Sequence, residues 1–319
     1  MTADLERPLV TVLIPVYNSP DLFRTLSSVA EQSYRPLELI LVNDASKEFD
    51  EQRIRTWFEN RTQERPIQLH ILQNEKNLGT VKTMNRGLAA AEGKYVFNLA
   101  HDDAFYDSEV LADWTDAFER TKFPAITAKK ALCDADLEAV LGIAPDNRTI
   151  RNLLILQPEE LFEALAKENT ISGACTAWRM DALRDLGFYD EKYRLIEDYP
   201  AYLKLLRSGE RIGLLDRVVI RYRAGGSSGE GTSFSREYEK DIIRIHENEI
   251  LPYCKNPDAI RRKVRRWERD VRFDRWCNEK KARFRNSVII STGLTTMSAL
   301  YHPVRTGRRI IRKTRGNTK

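Results

Sequence analysis

The sequence predicts an α/β fold in which a mostly parallel sheet carries helices on both faces. Two observations lead to this prediction. From residue 9 to residue 103, short apolar runs rich in β-branched residues alternate with segments whose apolar residues recur at helical spacing. From residue 237 to about residue 285 the spacing is helical throughout and charges are dense. We therefore expect one α/β domain over residues 1–236 and a helical, basic C-terminal extension over residues 237–319.

The first half of the predicted sheet consists of strands that alternate with helices. Turn residues such as Asn18 and Ser19 follow the first apolar run and mark its end. Strands are expected at residues 9–16, 38–44, 67–72 and 94–99, and helices around residues 22–29, 54–58 and 81–91.

The second half is less regular. We expect strands at residues 125–132 and 212–222, and helices at residues 110–118, 158–167, 178–186 and 199–206. Residues 224–235 are rich in Gly and Ser, and a loop of this length is usually functional or disordered. We expect it to be a mobile loop that closes over a site.

Composition excludes several classes of protein. The four cysteines, Cys133, Cys175, Cys254 and Cys277, stand far apart, so the sequence predicts neither a zinc finger nor a disulfide framework. The first residues contain no basic region followed by an apolar core, so we expect no export signal and a cytoplasmic protein.

Two adjacent carboxylates, Asp102 and Asp103, follow the apolar strand over residues 94–99. Open α/β sheets bind ligands at the carboxyl edge of their strands. Mg²⁺ and Mn²⁺ prefer oxygen ligands and are often held by one or two carboxylates plus substrate phosphates. The alternative interpretation is a solvated turn in which an Asp caps the helix around residues 110–118.

Five short segments along residues 9–224 resemble the motifs of family 2 glycosyltransferases with the GT-A fold. They come in that family's order: Ile14-Pro-Val-Tyr-Asn18, Val42-Asn-Asp-Ala-Ser46, Asn77-Leu-Gly-Thr-Val-Lys-Thr-Met-Asn-Arg-Gly87, His101-Asp-Asp103 and Glu197-Asp198. The resemblance implies a GT-A domain with a nucleotide-binding half over about 9–107 and an acceptor-side half over 108–236.

The resemblance also implies which residues bind the donor nucleotide. Pro15, Tyr17 and Asp44 match the residues that hold the nucleobase and the ribose, and Asn77 belongs to a further donor-side segment. A carboxylate at a strand end can accept hydrogen bonds from a base or a ribose hydroxyl. The alternative for Asp44 is a turn residue that acts together with Asn43 and Ser46.

The metal and the chemistry are implied in the same way. Asp102 matches the metal-binding residue of the family, Asp103 is a supporting or second ligand, and the cofactor is Mn²⁺ or Mg²⁺. Asp198 matches the catalytic base, with an N-terminal helix cap as the alternative role of its pair with Glu197. Arg223 matches an arginine that meets the diphosphate.

Other positions match less well. Ala100 stands where many relatives carry the first acidic residue, and no histidine follows Arg223. We therefore expect no third metal ligand there. Ser172, Gly173 and Trp178 match a segment that contacts donor and acceptor, although Trp178 suits a core position equally well.

The function implied is an inverting, metal-dependent transfer from a nucleotide-sugar, a UDP-sugar, to a glycan or lipid-linked acceptor in bacterial surface polysaccharide or glycolipid assembly. A sugar-phosphate nucleotidyltransferase is one alternative, but it needs a Gly-rich phosphate loop after the first strand, where Tyr17-Asn-Ser-Pro20 stands. The other alternative is an inactive GT-A binding module at the membrane.

The C-terminal tail carries the positive charge. Eleven Lys or Arg and no Asp or Glu occur from Lys280 to Lys319, whereas the whole chain has a net charge of +5. Apolar residues of the segment 287–315 form one helical stripe between cations, which favours an anionic membrane surface. We expect a peripheral protein on the inner face of the membrane, with a partner-docking helix or a disordered basic end as alternatives. Nucleic acid is not expected, because the basic run lacks interleaved aromatics.

Overall fold

One sheet of nine strands organises the described residues, 7–19, 21–223 and 236–283, of the computed structural model. Its neighbours run in the order β3-β2-β1-β4-β8-β6-β9-β5, and β7 pairs with β6. The strands are β1 (Val10–Val16), β2 (Leu37–Asn43), β3 (Gln68–Gln73), β4 (Tyr95–Asn98), β5 (Ala104–Phe105), β6 (Ala125–Cys133), β7 (Val140–Ala144), β8 (Thr176–Arg179) and β9 (Ile212–Arg223).

Helices connect most of these strands. They are α1 (Leu22–Ala30), α2 (Glu51–Thr62), α3 (Thr80–Ala90), α4 (Val110–Arg120), α5 (Asn147–Ile155), α6 (Pro158–Lys167), α7 (Met180–Leu186), α8 (Asp198–Arg207), α9 (Arg236–Ile245) and α10 (Pro257–Arg283). A 3₁₀ turn at Gly173–Cys175 precedes β8, and a π-helical turn at His246–Ile250 follows α9.

The strands β3, β2, β1 and β4 are parallel, as the sequence predicts. Val16 is aligned with Asn43, and Leu13 with Asn98. Because the carboxyl ends of parallel strands meet at one edge, the loops after β1, β2 and β4 come together there.

The other half of the sheet is mixed, so the parallel arrangement is less extensive than expected. The strand β8 runs antiparallel to both β4 and β6, and β5 and β7 pair antiparallel with β9 and β6. The sequence predicts neither the strands β5, β7 and β8 nor the helix α5. The three strands have only two to five residues, which is too short to show a clear periodicity.

The core is densely aromatic beside β4. Tyr95 stacks on Phe118 with ring centroids 4.6 Å apart, and Phe97 packs on Trp114 at 4.8 Å. Trp178 is also a core residue: it is 1% exposed and stacks on Tyr202. The interpretation of Trp178 as a donor or acceptor contact is therefore wrong.

The chain divides between Pro257 and Asp258 into two compact units, later than the boundary expected near residue 236. The segment 236–256 belongs with the first unit because it is anchored there by buried side chains. Ile245 and Ile250 are fully buried, and Asp241 is 1% exposed.

The second unit begins at Asp258 and contains all of α10 except its first residue, Pro257. This helix lies within the predicted helical extension. The predicted mobile loop over 224–235 and the amphipathic segment over 287–315 lie outside the described residues. Within the described part of the chain, no helix combines the length and the apolar character that crossing a membrane requires.

Candidate active site

Asp102 and Asp103 follow β4 at the carboxyl edge of the parallel strands. Asp103 is 1% exposed, and one of its carboxylate oxygens accepts the Arg223 N–H at 2.9 Å. The other oxygen, Oδ2, is buried and has no hydrogen-bond partner among the described residues. Burial, together with the charge of Asp102, raises the pKa of Asp103 to about 7.

The pair does not cap the helix that follows it. The strand β5 begins directly after Asp103, and α4 starts at Val110 with Glu109 in the N-cap position. The alternative interpretation of the two aspartates as a helix cap is therefore wrong.

Arg223 ends β9 beside the same two residues. Its guanidinium group donates to the Asp102 carbonyl oxygen at 3.1 Å and to Asp21 Oδ2 at 2.7 Å. The side chain thus lies at the edge where the sequence predicts the diphosphate, but it is engaged by Asp21.

His101 connects this edge to the loop after β1. Its carbonyl oxygen accepts from the hydroxyl groups of Ser19 and Thr25 at 3.1 and 3.0 Å. Burial lowers the pKa of the His101 imidazole, against the opposing charge of Asp102.

The loops after β1 and β2 are joined by hydrogen bonds. The Asn18 N–H donates to Ser46 Oγ, and the Lys47 N–H donates to Asn18 Oδ1, both at 2.9 Å. Pro15 lies on β1, aligned with Val42 of β2. Tyr17 is 46% exposed at this edge, so its ring is free to contact a ligand.

Asp44 is buried and holds the start of α3. Its Oδ1 accepts from Asn74 Nδ2 and the Leu78 N–H, both at 2.8 Å, and its Oδ2 accepts the Gly79 N–H at 3.0 Å. The alternative role in a local turn belongs instead to Asn43, whose Oδ1 accepts the Ser46 N–H. A carboxylate accepts about four hydrogen bonds, so Asp44 retains capacity for one more.

Asn77 contacts an arginine that the sequence analysis did not single out. The Arg194 guanidinium donates to Asn77 Oδ1 at 2.5 Å and to the Leu78 carbonyl at 3.2 Å. Gly79 has a φ of +88°, and a Cβ there would lie 2.7 Å from the Arg194 carbonyl oxygen. This close approach and this backbone conformation explain the glycine.

Asp198 is the first residue of α8, and Glu197 occupies the N-cap position. Asp198 Oδ1 accepts the Tyr199 N–H at 2.7 Å, and the Gly173 backbone also bonds to this carboxylate. Burial raises the pKa of both carboxyl groups, and the charge of Asp198 raises that of Glu197 further. The backbone donors of Tyr199 and Gly173 favour the charged form of Asp198, against the effect of burial.

Lys130 on β6 contacts residues beside both carboxylate pairs. Its amine donates to Ser172 Oγ at 2.8 Å and lies 3.7 Å from the centroid of the Tyr222 ring. Its charge lowers the pKa of both Asp103 and Asp198 against the effect of burial. The sequence signal was available, because Lys129 and Lys130 interrupt an otherwise apolar strand.

A separate cleft of about 670 Å³ lies between α3, the turn after α7 and α8. Its described lining includes Lys82, Arg86 and Lys204 but none of the predicted site residues. We place the candidate site at the carboxylate edge instead, because the buried Asp103 Oδ2 there has no hydrogen-bond partner among the described residues and because ligands of open α/β sheets bind at this edge.

The residues at this edge suit a hard divalent cation. Asp102 is partly exposed, and the orphaned, buried Oδ2 of Asp103 is an oxygen that a cation could satisfy. Within the described residues, no group of three or more His, Cys, Asp or Glu side chains is arranged around a metal position. One or two carboxylates suffice when substrate phosphates supply the remaining ligands.

Residues 11–187 match the sequence profile described as glycosyl transferase family 2. The chain belongs to this family. The match supports a glycosyltransferase enzyme and not a sugar-phosphate nucleotidyltransferase. The match includes Tyr17, Asp44 and Asp102, whereas Asp198 and Arg223 lie beyond it.

Two relatives illustrate the similarity in sequence. A glycosyltransferase of Rickettsia prowazekii is 25% identical over 75% of this chain and 72% of its own length. TuaG of Bacillus subtilis, another glycosyltransferase, is 26% identical over 81% of this chain and 98% of its own length.

Solved structures show the same GT-A fold. TarS 1–349 of S. aureus, in complex with UDP-GlcNAc, is similar with a TM-score of 0.56 and 21% identity over 80% of this chain and 70% of that chain. The mannosyltransferase PcManGT of Pyrobaculum calidifontis, in complex with GDP-Man and Mn²⁺, has a TM-score of 0.59 and 18% identity over 95% of this chain and 83% of that chain. The predicted fold class is confirmed.

Proposed function

We propose that this glycosyltransferase is an inverting, metal-dependent enzyme that transfers a sugar from a UDP-sugar to a hydroxyl group of a glycan or lipid-linked acceptor. One observation carries the proposal. Lys130 lies between the two acidic pairs: its amine donates to Ser172 Oγ, next to the Gly173 that abuts Asp198. The same amine lies over the ring of Tyr222, next to the Arg223 whose N–H binds Asp103. This arrangement supports a single site in which one acidic pair would bind the donor and the other would remove a proton from the acceptor.

The donor nucleotide lies, in this proposal, at the ends of β1 and β2. The exposed ring of Tyr17 packs on the base, Pro15 shapes the strand end, and Asn77 borders the donor segment. Asp44 uses its remaining acceptor position on a base N–H or a ribose hydroxyl. Structural neighbours in complex with UDP-GlcNAc and with GDP-Man support a nucleotide-sugar donor.

Asp102 and Asp103 would hold Mn²⁺ or Mg²⁺ together with the donor diphosphate. The bound cation would neutralise the charge that develops on the diphosphate as the sugar leaves. Arg223 lies beside Asp102 and would add a second positive charge once it exchanges Asp21 for a phosphate oxygen.

Asp198 acts as the general base. It accepts the proton of the acceptor hydroxyl while that oxygen forms a bond to the anomeric carbon. The bond from the anomeric carbon to the diphosphate oxygen breaks on the opposite face, so the anomeric configuration inverts. General-base catalysis of this kind contributes about 10²–10⁴-fold in rate.

The pathway and the location follow from weaker support. TuaG is named for teichuronic acid biosynthesis, which favours a bacterial surface polysaccharide or glycolipid as the product. The basic tail from Lys280 to Lys319 would hold the enzyme on the anionic inner face of the membrane, near a lipid-linked acceptor.

The test is calorimetric titration of UDP and GDP, with and without Mn²⁺, into the wild type, Asp102→Ala and Asp198→Asn. We expect UDP to bind the wild type with metal, and Asp102→Ala to lose that metal dependence. Asp198→Asn is the matched control, because it should bind UDP normally while sugar transfer falls by about 10²–10⁴-fold.

The proposal fails if folded wild-type protein binds no nucleotide under either condition. If GDP binds in place of UDP, the donor assignment is wrong although the site is right. Full transfer activity in Asp198→Asn would exclude Asp198 as the base.

A further inference from the structure

The carboxylate of Asp241, on α9, is almost completely buried inside the first unit. Its Oδ2 accepts three successive backbone N–H groups, those of Arg194, Leu195 and Ile196, at 2.8, 2.6 and 3.3 Å. Consecutive N–H groups that converge on one point form an anion-binding nest. Here the anion is a side chain of the protein itself, and hydrogen bonds to a charged acceptor are about twice as strong as neutral ones.

This nest, residues 194–196, leads directly into the catalytic segment. Ile196 precedes Glu197, and Asp198 opens α8. Because only one residue separates the last bonded amide from the proposed base, fixing these amides fixes where α8 begins.

The same nest connects to the donor side. Arg194 donates from its side chain to Asn77 and Leu78, and its carbonyl oxygen accepts the Val81 N–H at 3.1 Å. The turn 77–79 that it holds is the one whose amides bind Asp44. One buried carboxylate therefore supports both halves of the site.

We propose that Asp241 is a positioning residue that acts through the nest 194–196 on both the base Asp198 and the donor-side turn 77–79. The inference rests on the proposed function and extends it. Asp241 lies on α9, outside residues 11–187, which match the family. In this proposal the active site therefore includes a contribution from α9.

A matched control lies in the π-helical turn after α9. Glu249 is also buried, at 9% exposure, and its carboxylate accepts from Tyr193 and pairs with Arg207 at 2.7 Å. Within the described residues, no hydrogen bond or ion pair joins its carboxylate to the nest or to the turn 77–79. Loss of its charge should therefore affect stability without changing the geometry of the site.

The experiment compares wild type, Asp241→Asn, Asp241→Ala and Glu249→Gln at a temperature well below every melting temperature. The measurements are the pH profile of kcat for sugar transfer, KM for the donor, and UDP affinity by calorimetry in the presence of Mn²⁺. Asparagine keeps one oxygen acceptor for the nest, whereas alanine keeps none, so we expect a smaller effect from Asp241→Asn. If Asp241→Ala fails to fold, Asp241→Asn still tests the proposal.

We expect kcat to fall in the order wild type, Asp241→Asn, Asp241→Ala, with a loss of about 10²-fold in the last, the usual cost of a misplacement near 1 Å. The acid limb of the pH profile should move to higher pH, because Asp198 loses the alignment with the backbone donors that favour its charged form. UDP affinity should weaken as well, through Arg194. Glu249→Gln should show none of these changes.

The inference is overturned if the Asp241 variants keep wild-type kcat, acid limb and UDP affinity and lose only melting temperature, as Glu249→Gln does. A wild type that binds UDP but transfers no sugar contradicts the proposed function. In that case the UDP affinities of the Asp241 variants still test whether Asp241 positions the donor side. A wild type that binds no nucleotide contradicts the proposed function and the inference with it.

Discussion

At the scale of single residues, Glu197 and Asp198 are adjacent in sequence but have different hydrogen-bond and charge surroundings. Glu197 and Asp198 both lose solvent, which raises the pKa of each. Asp198 regains stabilisation of its charge from the Tyr199 N–H, the Gly173 backbone and Lys130. These contacts support the proposal that Asp198 is the carboxylate of the pair that acts as the base.

Lys130 supplies a prediction at this scale. Substituting Lys130→Met removes the charge that opposes the burial of Asp198, so the pKa of Asp198 rises further. Since the proposed base would work in its deprotonated form, we expect activity to increase with pH through this pKa. The acid limb of kcat should therefore move to higher pH, with the activity loss larger at pH 6 than at pH 8.

The control for Lys130 is its neighbour Lys129, which pairs with Asp216 instead. The substitution Lys129→Met should leave the acid limb in place. An unchanged limb in Lys130→Met, in protein that folds normally, would contradict the assigned role of Lys130.

At the scale of elements, the turn before the short strand β8 brings the Gly173 backbone to Asp198, the proposed base. The 3₁₀ turn Gly173–Cys175 places Gly173 against Asp198. The Thr176 hydroxyl stabilises this turn by donating to the Ser172 carbonyl oxygen at 2.8 Å. A Cβ added at Gly173 would lie 2.8 Å from Asp198 Oδ2. The turn and the start of α8 therefore leave room for glycine alone.

The prediction at this scale concerns Gly173→Ala. The added methyl group should displace the Asp198 carboxylate and lower kcat by about 10²-fold, because misplacing a reacting group by about 1 Å has that effect. UDP affinity should be nearly unchanged. Steady-state kinetics and calorimetry separate the two quantities.

Gly142→Ala on β7 is the matched control, since its added Cβ would meet nothing nearer than 4.0 Å. This variant should retain kcat. Equal loss in both variants would show that the effect is general destabilisation and not displacement of Asp198.

At the scale of the whole molecule, charge is distributed unevenly along the chain. The tail from Lys280 to Lys319 carries eleven cations, and the residues before it are net negative. Each Lys or Arg near an anionic membrane contributes about 1 kcal/mol, and the interaction decays within a Debye length.

This asymmetry predicts the outcome of liposome flotation. The full chain should float with vesicles that contain anionic lipid, and should do so less at high salt, because salt screens the attraction. A chain that ends at Glu279 should stay in solution. Neutral vesicles are the control, and equal flotation of the two chains would exclude the membrane role of the tail.

The sequence alone was sufficient for the α/β class, the parallel strands β1 to β4 and the family. Each of these depends on local signals: strand-length apolar runs, helical spacing and short motifs such as His101-Asp-Asp103. The roles assigned to Asp44, Asp102 and Asp198 remain predictions, although the structure shows the contacts that surround them.

Contacts between distant segments were decided by the tertiary structure. No local pattern indicates that Asp241 binds the amides of residues 194–196, that Arg194 reaches Asn77, or that Lys130 acts on Asp198. The antiparallel strand β8 is not predicted either. Its four residues are too few to show a period, and the strand is defined by its pairing with β4 and β6. Local sequence determines which elements form, whereas the surroundings of a buried charge depend on how those elements pack together.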